Sequence, residues 1–180
     1  MALELQDLFA RQHWRFCFVG GLAVQRWGEP RLTQDVDVTL LTGFGAEESY
    51  IDALLARYEG RRPDVKTFAL QYRVLLLRSP SNIGIDIALA ALPFEETCIK
   101  RATYFDFLPR VSLLTCSAED LIVMKAFADR DIDWHDIKGV VIRQQGQLDW
   151  DYIHKQLIPL CELKENHLIV ARLDKLKSEV

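Results

Sequence analysis

Apolar runs alternate with turn signals along the first two thirds of the chain, and the spacing inside each run predicts its element. Residues 3 to 12 carry an amphipathic pattern of helical period, and Trp14 to Val19 form an apolar, aromatic run suited to a buried strand. Gly20 and Gly21 end that run. Leu22 to Trp27 predicts a short helix closed by Gly28. Gln34 to Leu41 alternates as a second strand, ends at Thr42-Gly43-Phe44-Gly45 and should lie beside the first. Glu47 to Tyr58 places Ile51, Leu54, Leu55 and Tyr58 at helical spacing, with Gly60 as terminator, and this helix is expected to cover one face of a sheet.

Residues 70 to 77 and 83 to 90 are apolar segments split by Ser79-Pro80-Ser81-Asn82, the signature of an antiparallel hairpin in the same sheet. A helix from Pro93 to Ala102 and a short strand at 110 to 114 follow. Ser117-Ala118-Glu119-Asp120 then opens a long helix. Everything after residue 117 reads as helix. The last, Lys164 to Glu179, presents Leu168, Ile169, Leu173 and Leu176 as a stripe that docks on the body of the protein or binds a partner. The fold class is therefore α/β of the α+β kind, a mixed and mostly antiparallel sheet flanked by helices, with a helical C-terminal part. The expected organisation is a core over residues 1–116 and a helical extension over residues 117–180 packed on it.

Composition narrows the function classes. A chain of 180 residues has room for one domain with a proper core, and 49% hydrophobic against 27% charged residues is the balance of a soluble globular protein. A net charge of −4 gives no general attraction to nucleic acid, so an RNA contact needs a local basic patch. Arg57, Arg61, Arg62 and Lys66 are one candidate cluster, and a solvated helix end is the commoner meaning of such a group. Cys17, Cys98, Cys116 and Cys161 are scattered and read as reduced and mostly buried, and the four histidines share no metal-ligand spacing. With no apolar run of membrane length and no secretory signal, a cytoplasmic protein without membrane contact is expected.

The chemistry is concentrated in two stretches. Phe18-Val19-Gly20-Gly21 brings bare backbone N–H groups to the start of a helix, where an anion can approach with no Cβ in the way. In Asp35-Val36-Asp37-Val38, strand alternation sends both carboxylates to one face, and like charges held so close need a cation. Asp86, inside Ile83-Gly84-Ile85-Asp86-Ile87, is expensive to bury without compensation, and its sequence neighbours offer none. If its strand lies beside the one carrying Asp35 and Asp37, the three form the hard-oxygen environment that two magnesium ions prefer. Asp35-Val36-Asp37-Val38-Thr39 also fits the D-x-D-x-T pattern of haloacid-dehalogenase-like phosphatases. There, however, the motif ends an apolar strand, whereas here Pro30-Arg31-Leu32-Thr33-Gln34 precedes it and the upstream glycines would have no role.

Taken together, these residues resemble the nucleotidyltransferase superfamily related to DNA polymerase β, and especially its small bacterial branch of abortive-infection, toxin-type enzymes. Gly20-Gly21 matches the family's glycine turn, Arg31-x-Thr33-x-Asp35-x-Asp37 its R-x-T-x-D-x-D block, and Asp86 its third strand carboxylate. Glu119-Asp120-Leu121 with Lys125, Arg130, Asp133 and Asp136 is similar to that branch's helical segment. Many members carry serine where this chain has Gly21, which leaves Thr33 or backbone amides to supply that contact. The resemblance implies transfer of a nucleoside monophosphate from a nucleoside triphosphate to an acceptor hydroxyl. Asp35, Asp37 and Asp86 would be catalytic and hold two Mg2+ ions, and Gly20, Gly21, Arg31, Thr33 and Lys125 would bind the nucleotide. The family that the chain resembles acts on antibiotics, proteins and RNA ends; the small size and the toxin-like helical segment favour RNA, tRNA in particular, or a protein hydroxyl over an aminoglycoside as acceptor, and that branch implies an antitoxin as partner. The bland reading of Lys125 is an ion pair with Asp129 at i+4, and of Arg130, Asp133 and Asp136 a structural network. A nucleotide- or partner-binding module without turnover is the third alternative.

Overall fold

A computed structural model describes residues 1–180, and its internal contacts divide the chain into two units: residues 1–22 with 32–116, and residues 23–31 with 117–180. The first unit is built on one seven-stranded sheet. Its strands are β1 (Phe16–Phe18), β2 (Asp35–Leu41), β3 (Glu59–Gly60), β4 (Val74–Arg78), β5 (Gly84–Ala90), β6 (Thr103–Leu108) and β7 (Val111–Thr115), in the order β3-β4-β5-β2-β1-β7-β6. Four of the neighbouring pairs are antiparallel, while β2 with β5 and β1 with β7 run parallel. A mixed and mostly antiparallel sheet is the predicted class.

Alternation along the central strands sorts the two faces. Val36, Val38 and Leu40 of β2 and Ile85, Ile87 and Leu89 of β5 enter the main core, with Phe16 and Phe18 of β1. Helices α1 (Ala2–Arg11), α3 (Glu47–Leu55) and α4 (Val65–Tyr72) close that side through Leu5, Phe9, Ile51, Leu54, Val65 and Ala69. The opposite face carries Cys17, Asp35, Asp37, Thr39 and Asp86, as the two-residue period demands. Helix α5 (Pro93–Arg101) approaches it, with Cys98 Sγ 3.8 Å from Cys17 Sγ. All four cysteines are buried.

The second unit begins within α2 (Gly20–Trp27), whose first three residues belong to the first unit. It continues as α6 (Ala118–Ala128), α7 (Asp131–Arg143), α8 (Trp150–Leu163) and α9 (Leu168–Glu179). Ser117 caps α6 by accepting the Asp120 backbone N–H at 3.1 Å, as its sequence signature predicts. Ile122, Trp134, Ile137, Val140, Ile153, Leu157, Ile169 and Leu173 are among this unit's buried side chains. The segment 23–31 is fastened to α7: Arg143 donates to Gly28 O at 2.7 Å and Gln144 to Trp27 O at 3.0 Å. A Cβ on Gly28 would stand 3.0 Å from the Val140 side chain, so this approach also explains that glycine. No helix is long and apolar enough to cross a membrane.

Several elements depart from their sequence pattern. Residues 70–72 finish α4 instead of opening a strand, because the helix runs until Arg73 adopts a left-handed conformation at φ +57°. Gly60 pairs with Leu77 in β3 instead of terminating a helix, and β6 forms where no strand is expected. β6 is an edge strand whose side chains are mostly exposed, so it lacks the apolar alternation that makes a strand legible. The last helix starts at Leu168, after a turn in which Glu165 has φ +53°.

Candidate functional site

The parallel pairing of β2 with β5 puts Asp37 directly opposite Asp86, and Asp35 opposite Gly84. Since Asp35, Asp37 and Asp86 share one face, all three carboxylates stand at the N-terminal ends of two adjacent strands. β1 is antiparallel to β2, so its C-terminal end comes to the same edge, and the chain turns there into α2. The Val19 N–H bonds to Asp37 O at 3.0 Å and the Gly21 N–H reaches Asp37 Oδ2 at 3.4 Å. The glycine turn and the carboxylate strand are thereby one structure.

Both glycines are required by this closeness. Gly20 has φ +53°, a conformation L side chains rarely adopt, and any Cβ there would collide with the Asp37 carboxylate. A Cβ on Gly21 would lie 2.5 Å from Thr33 Oγ1, which leaves a serine at this position no space unless Thr33 moves. Thr33 is itself committed, donating its hydroxyl to Asp35 O at 3.0 Å, so it braces the entry to β2. On the neighbouring strand a Gly84 Cβ would strike Asp35 Oδ1.

A residue outside the sequence motif completes the arrangement. Arg61, just after β3, places Nη2 on Asp86 Oδ1 and so supplies the compensation that Asp86's sequence neighbours lack. Two other members of the predicted basic cluster are turned to other carboxylates, Arg62 to Asp64 and Lys66 to Asp52 and Glu48. In the sequence Arg61 stands out only as part of a charge cluster. A separation of 25 residues from Asp86 gave no local signal of the contact.

The donor set suits a hard divalent cation, because it consists of carboxylate oxygens on one sheet edge, backed by glycines that leave them room. No three His, Cys, Asp or Glu side chains stand close enough to form a ready-made metal cluster. At Asp86 the positive charge is supplied by the Arg61 guanidinium.

Comparisons with known proteins bear on this geometry. A sequence model of the family described as "Nucleotidyltransferase of unknown function (DUF6036)" matches residues 2–168. The chain belongs to that nucleotidyltransferase family. Among solved structures the fold is similar to a lincosamide antibiotic adenylyltransferase, LnuA, in its lincomycin-bound form. The TM-score is 0.50 at 15% identity, covering 77% of this chain and 92% of that one. It is equally similar to an antigenic nucleotidyltransferase-like protein from Paracoccidioides brasiliensis, with a TM-score of 0.50 at 14% identity over 98% of this chain and 90% of the other. No curated protein sequence matches the chain significantly. At such identities the structural likeness speaks for the fold alone, and the mixed α/β architecture is that of nucleotidyltransferase-like proteins.

In this nucleotidyltransferase the two remaining residues assigned to nucleotide binding, Arg31 and Lys125, lie in the second unit. Arg31 makes a bidentate pair with Asp136, both bonds 2.9 Å. Lys125 Nζ, almost fully buried, lies 2.9 Å from Asp133 and 2.7 Å from Asp136. Arg130 closes the set on Asp133 at 2.6 and 3.1 Å. Burial by itself would raise the Asp133 and Asp136 carboxyls, but the surrounding cations more than offset it and hold both below the ordinary carboxylate range. The i+4 partner proposed for Lys125 is not the one it takes. Asp129 leaves the helix in a left-handed C-cap at φ +59° and accepts instead from Trp134 Nε1 at 2.7 Å. Tyr152 and Ser117 likewise satisfy the buried Asp120, at 2.5 and 2.8 Å.

Proposed function

We propose that this nucleotidyltransferase uses magnesium and a nucleoside triphosphate, and moves a nucleoside monophosphate to an acceptor hydroxyl with release of pyrophosphate. The observation that carries the reading is the common edge at which Asp35, Asp37 and Asp86 meet the Gly20–Gly21 turn. Asp35, Asp37 and Asp86 are the residues that would hold two ions, and bound ions would neutralise the triphosphate and lower the pKa of the attacking hydroxyl. The chain's own groups do the rest. The backbone N–H groups at the start of α2 take phosphate oxygens, and Thr33 keeps Asp35 in place from behind. Asp86 faces the acceptor and receives its proton. Phosphoryl transfer depends chiefly on positioning and charge neutralisation, so a site made of little beyond carboxylates and backbone amides is chemically sufficient.

For the acceptor we favour a hydroxyl of RNA, tRNA in particular, or of a protein, and for the biological role the toxin of a toxin–antitoxin pair. The support is the similarity of Glu119 to Lys125, with Arg130, Asp133 and Asp136, to the abortive-infection branch. The test is to incubate the purified protein with Mg2+, each α-labelled nucleoside triphosphate in turn, total cellular RNA and the protein itself, and to follow the label. Label on RNA or on protein supports the reading and names the acceptor. Metal-dependent nucleotide binding with no labelled product would establish a silent module instead. Phosphate release from simple phosphoesters without transfer would establish the phosphatase.

A further inference from the structure

Arg61 is the least conventional feature of the carboxylate edge. Its backbone N–H bonds to Leu76 O at 3.0 Å, which anchors the base of the side chain to β4. Nη2 contacts Asp86, and Nη1 lies 3.1 Å from the point a Gly84 Cβ would occupy, the same point that would strike Asp35 Oδ1. The guanidinium therefore reaches into the space between Asp86 and Asp35. Its Nε is buried and has no hydrogen-bond partner, alone among the buried side-chain nitrogens and oxygens of the chain. A pair built purely for stability would have satisfied that donor, because an unmet buried N–H costs more than a made bond gains.

We propose that Arg61 is the resident counter-cation of the carboxylate site. It neutralises Asp86 while no divalent cation is bound, and yields Asp86 and turns to the triphosphate when cation and nucleotide arrive. The inference rests on the metal-binding reading of Asp35, Asp37 and Asp86. The exchange is favourable because the Arg61–Asp86 pair is partly solvated, with 24% and 33% of the two side chains exposed, whereas a divalent ion engages several carboxylates at once. Once released, the planar fork of donors matches phosphate oxygens, and the unmet Nε gains an acceptor. Arg61 thus couples completion of the metal site to the presence of substrate.

The probe is Mn2+ without nucleotide, its free concentration read by electron paramagnetic resonance, on wild type, Arg61→Gln and Asp37→Asn. Nucleotide affinity is then titrated in Mn2+. Arg61→Gln should bind Mn2+ about tenfold more tightly, since a competing positive charge is gone, and bind the nucleoside triphosphate at least about tenfold more weakly. Opposite shifts in one variant are the signature, because a merely structural ion pair would weaken both when lost. Arg61→Lys should restore most of the nucleotide affinity. If Arg61→Gln does not fold, Arg61→Met keeps the apolar stem and carries the same expectation. Unchanged or weaker Mn2+ binding in these variants, with binding still lost in Asp37→Asn, overturns the role of Arg61 and leaves the metal site standing. Equal Mn2+ binding by wild type and Asp37→Asn overturns both.

Discussion

Asp86 and Asp136 are both aspartates held by arginine, yet they sit in opposite electrostatic situations. Asp136 has 1% of its side chain exposed and is gripped by a bidentate Arg31 and by Lys125, while its neighbour Asp133 takes Lys125 and Arg130. Asp86 is one-third exposed, receives one guanidinium, and stands in register with a second carboxylate, Asp37, on the adjoining strand. In the helical unit the cations come with the fold and the charges are closed upon themselves. On the sheet edge, carboxylates are concentrated beside a glycine turn and only half-buried. Buried and fully matched charge has no capacity left for a ligand and serves structure, whereas partly solvated charge of one sign, gathered on one face, is what a soluble cation can still improve.

The contrast breaks most sharply if the two sets of aspartates prove interchangeable in their effects. Asp37→Asn should lower nucleotidyl transfer by at least about a hundredfold to a thousandfold. Its thermal midpoint should stay within a few degrees of wild type, because the isosteric amide relieves like-charge crowding. Turnover unchanged at saturating magnesium would remove the catalytic assignment. Asp136→Asn should do the reverse. It leaves Lys125 and Arg31 short of a buried counter-charge, and urea unfolding should show a loss of about 3–5 kcal/mol.

A smaller effect is expected at the turn. Gly20→Ala forces an alanine into φ +53° and against the Asp37 carboxylate, which costs about 1–2 kcal/mol in stability. The variant should lose disproportionately more activity than stability, as steady-state kinetics beside a melt would reveal.

Acid sharpens the comparison further. The folded Asp133 and Asp136 titrate below the unfolded value of about 3.9, so on acidification the unfolded chain takes up protons first. Their stabilisation is complete above about pH 4 and is lost as the pH falls through the folded values. Urea midpoints measured at pH 6, 4 and 3 should fall mainly over the last step, and Asp136→Asn should flatten that fall. A wild-type midpoint that holds at pH 3 would contradict the network.

Much of this was legible in the chain itself. Alternation fixed the common face of Asp35 and Asp37 before any tertiary contact was known, since the period of a strand is local. The Ser117 cap and the glycine turn were legible for the same reason: each is decided within a few residues. Elements whose signal is not local were missed. Helix α4 and the edge strand β6 lack clean periodicity, and Gly28, legible only as the end of a short helix, also packs against α7 more than a hundred positions away.

The roles of the charged residues divide along the same line. Sequence alone determined that carboxylates would crowd one strand face beside bare backbone amides, because strand period and the absence of a Cβ are properties of neighbouring residues. Tertiary structure alone decided which cation each carboxylate meets: Arg61 for Asp86, and Arg31 with Lys125 for Asp136. An ion pair is set by distance in space and by how much water remains around it, and no spacing along the chain encodes either.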